Sequence, residues 1–149
     1  MARLRDPSMA HVRRAVASRR VGESARCGCG ETEAFALIGG RSPATCVECH
    51  RKEKGISTMD RHHIAGENNS PLTISIPANF HRVLSERQHD WPKRMLENPD
   101  RDPLIETAAM LQGFIDLVDC LLDRCLRPLP PALLRVADNQ TQHDKERAI

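Results

Sequence analysis

At 149 residues the chain is long enough for one domain with tails, or for two small units. With three Phe, one Trp and no Tyr, its core must be a modest one of Leu, Ile, Val and Ala, which a bound metal would help to hold. The formal charge of +2 points to no partner. No stretch approaches the ~18 apolar residues of a membrane span, and no apolar run follows the basic N-terminus, which excludes a secretory signal there. A cytoplasmic setting is therefore expected. Thiols stay reduced in that setting, and closely spaced cysteines read as metal ligands before disulfides.

Residues 1–26 hold seven Arg against Asp6 and Glu23, a local excess of five positive charges. The apolar stripe of Ala10–Arg20 is thin, so this segment is expected to be a partly disordered basic arm, of the kind that contacts phosphate backbones. Residues 27–57 carry two close cysteine pairs, Cys27-x-Cys29 and Cys46-x-x-Cys49, with sixteen residues between them. Each pair can grip one side of a tetrahedral ion, and four thiolates make a closed structural zinc site. Gly28 and Gly30 suit the tight turn around the first pair. Between the pairs, Ala34–Ile38 reads as a short strand and Gly39-Gly40 as a turn. Cys46-Val47-Glu48-Cys49-His50 also fits the spacing of a c-type haem attachment site, but that reading leaves Cys27 and Cys29 without a role.

Residues 58–92 read as strand, strand, helix. The first strand ends near Ile64. A loop over 65–71 leads to a second strand over Leu72–Ile76, where Leu72, Ile74 and Ile76 alternate. A helix follows with Asn79 at its cap, stopping before Trp91-Pro92. After the linker 93–102, Asp102 caps a long helix within 103–127. Its apolar stripe is Leu104, Ala108, Leu111, Ile115, Val118, Leu122 and Cys125. That stripe is expected to be buried against the domain or a second subunit, making this helix a candidate homodimer surface. Cys120 and Cys125 are expected to be buried and inert. Pro128, Pro130 and Pro131 end the helix, and residues 128–149 read as a Pro-rich, then polar, disordered tail. The fold class is α+β: a zinc knuckle, a strand-strand-helix unit and a long C-terminal helix.

The run Asp60-Arg61-His62-His63-Ile64-Ala65-Gly66, followed by Asn79-Phe80-His81-Arg82, resembles the HNH endonucleases of the His-Me finger group. It is most similar to phage and prophage HNH proteins with a zinc knuckle ahead of the His-His pair. The resemblance covers residues 58–92 and, with the cysteine pairs, most of 27–92. It implies a ββα fold around one divalent metal that hydrolyses DNA phosphodiesters. On that resemblance His63 is the general base, and His62 and His81 are ligands of the catalytic metal. Asn79 orients His81 from the helix cap. Arg61, Arg82 and Arg87 are candidate phosphate contacts.

Three departures from the family pattern matter. Pro77 and Phe80 stand where many relatives carry a further cysteine pair, so Cys27, Cys29, Cys46 and Cys49 form a self-contained set. Ser85 stands where some relatives carry another histidine. The catalytic metal then has few protein ligands, which suits Mg²⁺ or Mn²⁺ better than zinc. The middle Asn of the motif falls on Asn68 or Asn69. Adjacent strand residues point to opposite faces, so His62 and His63 share one site only if the chain bends there. His11 and His89 read as surface residues, and Trp91 as packing the helix end onto the knuckle. The alternative function is a zinc-stabilised DNA-binding module without catalysis.

Overall fold

The computed structural model describes residues 7–147 and has an α+β architecture. It divides into two compact units, one up to Leu117 and one from Val118. No helix among the described residues is long and apolar enough to cross a membrane.

The segment expected as a disordered arm is helical from Pro7 to Val21 (α1), with Arg3 and Arg5 lying outside the described residues. Arginines take the place of the missing apolar stripe. Arg13 forms ion pairs with Glu86 and Asp90, and Arg14 with Glu33 at 3.3 Å. The Arg14 guanidinium also lies 5.7 Å from the centre of the Phe35 ring. The Arg20 stem runs so close to Gly39 that a Cβ there would meet Arg20 Cγ at 2.7 Å. Long basic side chains thus dock the helix through both their stems and their charges.

The stretch Ala34–Ile38 is not a strand. It makes one bridge, Leu37 to Cys46, closed by Ile38 N–H to Thr45 O at 3.0 Å. Cys46 then caps α2, Val47–Glu53, its sulfur accepting the Cys49 N–H. The antiparallel strands β1, Met59–His63, and β2, Thr73–Pro77, pair with His62 opposite Ile74 and His63 opposite Thr73. Helix α3, Ala78–Gln88, follows β2 without a loop and packs on both strands.

Pro77, not Asn79, occupies the N-cap of α3, with no side-chain cap. Its fixed φ suits the start of a helix, and the orphan N–H of Asn79 is satisfied from outside by the Glu48 carboxylate at 3.0 Å. Trp91 packs with Ala65, Met95 and Ala109, away from the cysteine unit. Met95 belongs to the short helix α4, Lys93–Glu97. Helix α5, Pro103–Leu121, starts as expected, with Asp102 accepting the Leu104 N–H at 2.9 Å.

The face of α5 turned into the fold buries Ala109, Gln112, Gly113 and Asp116, with Ile105, Ala108 and Met110 half-buried against the Trp91 cluster. Asp116 accepts from Trp91 Nε1 and from Gln112 Nε2, each at 2.9 Å. A Cβ on Gly113 would fall 1.8 Å from the Ile64 carbonyl oxygen, so the bare helix backbone rests directly behind the end of β1. Gly113→Ala must push the two backbones apart. We expect a loss of more than about 3 kcal/mol, read as a fall in the urea unfolding midpoint.

Apart from half-buried Ala108, the aliphatic stripe is not buried against the domain, with Leu104 80 % and Leu111 61 % accessible. Cys120 is buried as expected, but Cys125 is exposed, because it follows Val118 by seven residues along that outward stripe. In the second unit a π-turn, Leu122–Leu126, precedes helix α6, Leu129–Arg147, where a disordered tail is expected. Pro130 and Pro131 fall in the first turn of α6, where a missing N–H costs nothing, so they start this helix instead of preventing one.

Candidate metal centre and histidine site

Cys27, Cys29, Cys46 and Cys49 converge, all four sulfurs lying within 4.8 Å of one another. Cys27-Gly28-Cys29-Gly30 forms a turn closed by Gly30 N–H to Cys27 O at 2.8 Å, and Gly30 has the positive φ (98°) that such a turn needs. Gly28 has no such conformation, so only one of the two glycines is conformationally required. The other pair sits at the start of α2, where Cys46 Sγ accepts the Cys49 N–H at 3.4 Å. Sulfurs ~2.3 Å from a tetrahedral ion are about 3.8 Å apart. Cys29 Sγ and Cys46 Sγ are separated by 3.7 Å.

Charge crowding fits the same purpose. Burial pushes the Cys27 thiol up, but hydrogen bonds from the backbone at Cys29 and Cys46 and from neighbouring thiols bring it down to about 7. The Cys49 thiol is pushed up by its hydrogen bond with Cys29, by burial and by the other thiols. Four thiolates this close need a cation to share. The cluster can hold a metal such as zinc.

The cysteine unit grips α3 through Asn79. Glu48 N–H donates to Asn79 Oδ1 at 3.2 Å, and Asn79 Nδ2 donates to Glu31 Oε2 at 3.1 Å. With Asn79 N–H on Glu48, this is a three-bond clasp two residues before His81. Asn79 therefore ties the start of α3 to the cysteine unit.

The two adjacent histidines part company. His62, 3 % exposed, faces α3 and meets the His81 ring edge to face, with centroids 5.4 Å apart. His63, the last residue of β1, has its Nδ1 3.1 Å from the Ser70 carbonyl. A carbonyl only accepts, so Nδ1 carries the proton and the Nε2 lone pair remains available. The loop supplying that carbonyl is pinned by Asn69, which is buried and donates to Ala65 O at 2.9 Å and Met95 O at 2.7 Å. Asn68 reaches only Leu96 O, at the surface.

Gln88 backs the pair. Its Nε2 donates to the His63 carbonyl at 2.7 Å and lies 3.4 Å from His62 Nε2. Asp60, two residues before His62 on the same strand face, takes Arg51 at 2.6 Å and lies 3.4 Å from His81 Nδ1. Asp60 stands at the head of the histidine motif without an assigned role, and neither Arg51 nor Gln88 belongs to it. The i, i+2 spacing of Asp60 and His62 was the one signal that pointed to any of them. Among the described residues, the four cysteines are the only group of three or more His, Cys, Asp or Glu close enough to share an ion. His62 and His81 make a pair.

An open cleft beside this pair is lined by Arg51, Asp60, Arg61, His81, Arg82 and His89. Arg61 and Arg82 are exposed there. Arg82 also lines the neighbouring groove against α1, with Arg13 and Arg20. Arg87 is placed elsewhere: it donates to the Asp116 carbonyl at 3.2 Å, tying α3 to α5. It works as a fold contact because it lies on the α5 side of α3, away from the cleft.

Burial lowers the His62 pKa to about 4, helped by the charges of His81 and His63. Burial also lowers His81, against the opposing pull of Asp60. Asp60 is held low by its hydrogen bond from Arg51. Below the ordinary His value near 6.5, the unfolded chain binds a proton that folded His62 refuses. Its contribution is thus complete above pH ~6.5 and is lost as pH falls towards 4. Wild type should lose about 3 kcal/mol relative to His62→Gln across that window, read by urea unfolding at each pH.

No family model matches the chain. No curated protein and no solved structure shows significant similarity to it.

Proposed function

We propose that the protein is a metal-dependent DNA endonuclease of the HNH kind, with a structural zinc on Cys27, Cys29, Cys46 and Cys49. The observation that carries this reading is the division of labour between His62 and His63. One is neutral and paired with His81 beside an arginine-lined cleft. The other is fixed by the Ser70 carbonyl with Nε2 available as a base. His63 takes the proton from the attacking water, whose oxygen forms the new bond to phosphorus as the leaving oxygen departs. His62 and His81 would hold the divalent ion, Mg²⁺ or Mn²⁺. Asp60 can join them if Arg51 moves to the phosphate. The ion supplies charge for the phosphate and the leaving oxygen. Arg61 and Arg82 hold the backbone on either side.

A second reading has its own support. Asp60 is already paired with Arg51, so among the described residues no third ligand stands ready beside His62 and His81. A zinc-stabilised DNA-binding module without catalysis would look the same there. Metal-dependent cleavage separates the two readings, because both bind DNA. For either, Arg82→Ala should weaken DNA binding uniformly across sequences and reduce the slope of log K against log salt by about 1. Fluorescence anisotropy over a salt series measures this.

A further inference from the structure

We propose that the groove between α1 and α3 seats one unstacked base of a DNA strand continuing from the arginine-lined cleft, so that the protein prefers DNA with a single-stranded flank. The groove has a volume of about 270 Å³. That is close to the ~300 Å³ lower end of small-molecule pockets, and too small to admit a duplex. On the α1 side it is lined by Val12, Val16 and Arg20, which stand one helical turn apart on one face. Val12 and Val16 are 50 % and 51 % exposed, although the neighbouring Ala17 is buried in the fold. Half-buried Phe35 adds an aromatic ring to the lining.

Charge complementarity selects the kind of occupant. Glu86 is the one acid lining the groove, and Arg13 already pairs with it at 3.6 Å. Among the described residues no acid pairs with Arg20 or Arg82, so two guanidiniums border an apolar lining. Such a surface matches a nucleotide, with an anionic phosphate and a base whose flat face is available once it is unstacked. A paired duplex offers its phosphates but keeps its bases stacked, which leaves the valines uncovered. Continuity selects a strand over a free nucleotide. Arg82 and Glu86, one turn apart on α3, line both this groove and the cleft beside His81. A strand held in the cleft therefore reaches the groove along α3. The inference rests on the DNA binding common to both readings of the site, and not on cleavage.

Fluorescence anisotropy at one salt concentration tests it with labelled DNAs of equal phosphate number: a blunt duplex, a duplex with a single-stranded tail, and the same duplex with an abasic tail. Tails of both polarities are compared. The tail with bases should bind about 5-fold or more tighter than the abasic one, the lower end of what one base gains on such a platform. The difference should vanish in the double variant Val12→Ser, Val16→Ser. Equal affinity for the two tails in wild type overturns the proposal, as does a difference that persists in the double variant. Should the double variant fail to fold, ultraviolet crosslinking of an iodouracil tail to wild type gives an independent reading. The crosslinked peptide should come from α1 or contain Phe35, and a crosslink confined to other segments overturns the proposal. The two levels of failure are distinct: equal binding of all the DNAs removes the groove alone, whereas no binding of any of them removes the DNA reading with it.

Discussion

Cys46→Ala is expected to empty the four-cysteine centre and unfold the segment around it. Cys46 is fully buried, bridges to Leu37, caps α2 and sets its sulfur 3.7 Å from that of Cys29. Losing one thiol of four leaves Cys27, Cys29 and Cys49 with an incomplete ligand set for a metal such as zinc. The apolar support is thin, since the surrounding cluster is Cys27, Leu37 and Cys46 with Val21, Ala25 and Cys49 at its edge. Structural zinc contributes about 10–16 kcal/mol in small modules, comparable to the ~5–15 kcal/mol that holds a whole domain. The damage should travel. Glu48 and Glu31 hold Asn79 at the start of α3, so releasing the knuckle frees the helix that carries His81. Metal analysis should fall from one zinc per chain to none, and far-UV circular dichroism should show loss of helix. Retained zinc with an unchanged spectrum would remove the knuckle from the account.

If the proposed nuclease reading holds, His63→Ala lowers the cleavage rate by about 10²–10⁴ while leaving DNA affinity within a factor of two to three. His63 is half-buried, so its truncation should cost little stability. The specific feature at stake is the Ser70 carbonyl on Nδ1, which fixes the tautomer. Asn69→Ala should therefore reproduce part of the rate loss by freeing the loop that bears this carbonyl. Single-turnover cleavage of a labelled duplex, with anisotropy for binding, separates the two effects. Equal loss of binding and cleavage in His63→Ala would make it a contact residue.

Local chemistry was legible in the sequence where the pattern was dense. Two cysteine pairs sixteen residues apart converge as expected, the two strands and α3 lie where alternation and proline placed them, and His62 meets His81. What escaped was decided by tertiary packing. Arginine docking orders α1, although its sequence has almost no apolar stripe. Gly113 reverses α5: a bare backbone against Ile64 turns the aliphatic stripe outward, and no periodicity argument distinguishes a stripe facing a core from one facing solvent. Asn79 looked like a cap because its residue type favours caps. The preceding proline took that position, and Glu48, thirty-one residues away in sequence, gave Asn79 another task. Asn68 and Asn69 look alike in the sequence, but only Asn69 is buried, while Asn68 reaches Leu96 O at the surface.

The most direct measurement is conversion of supercoiled plasmid by the purified wild-type chain, in metal-depleted buffer and with Mg²⁺ or Mn²⁺ restored. The account predicts open-circle product only when a divalent ion is present, with zinc retained on the protein throughout. Full DNA binding without any cleavage under either ion would contradict it and leave the zinc-stabilised binding module as the function.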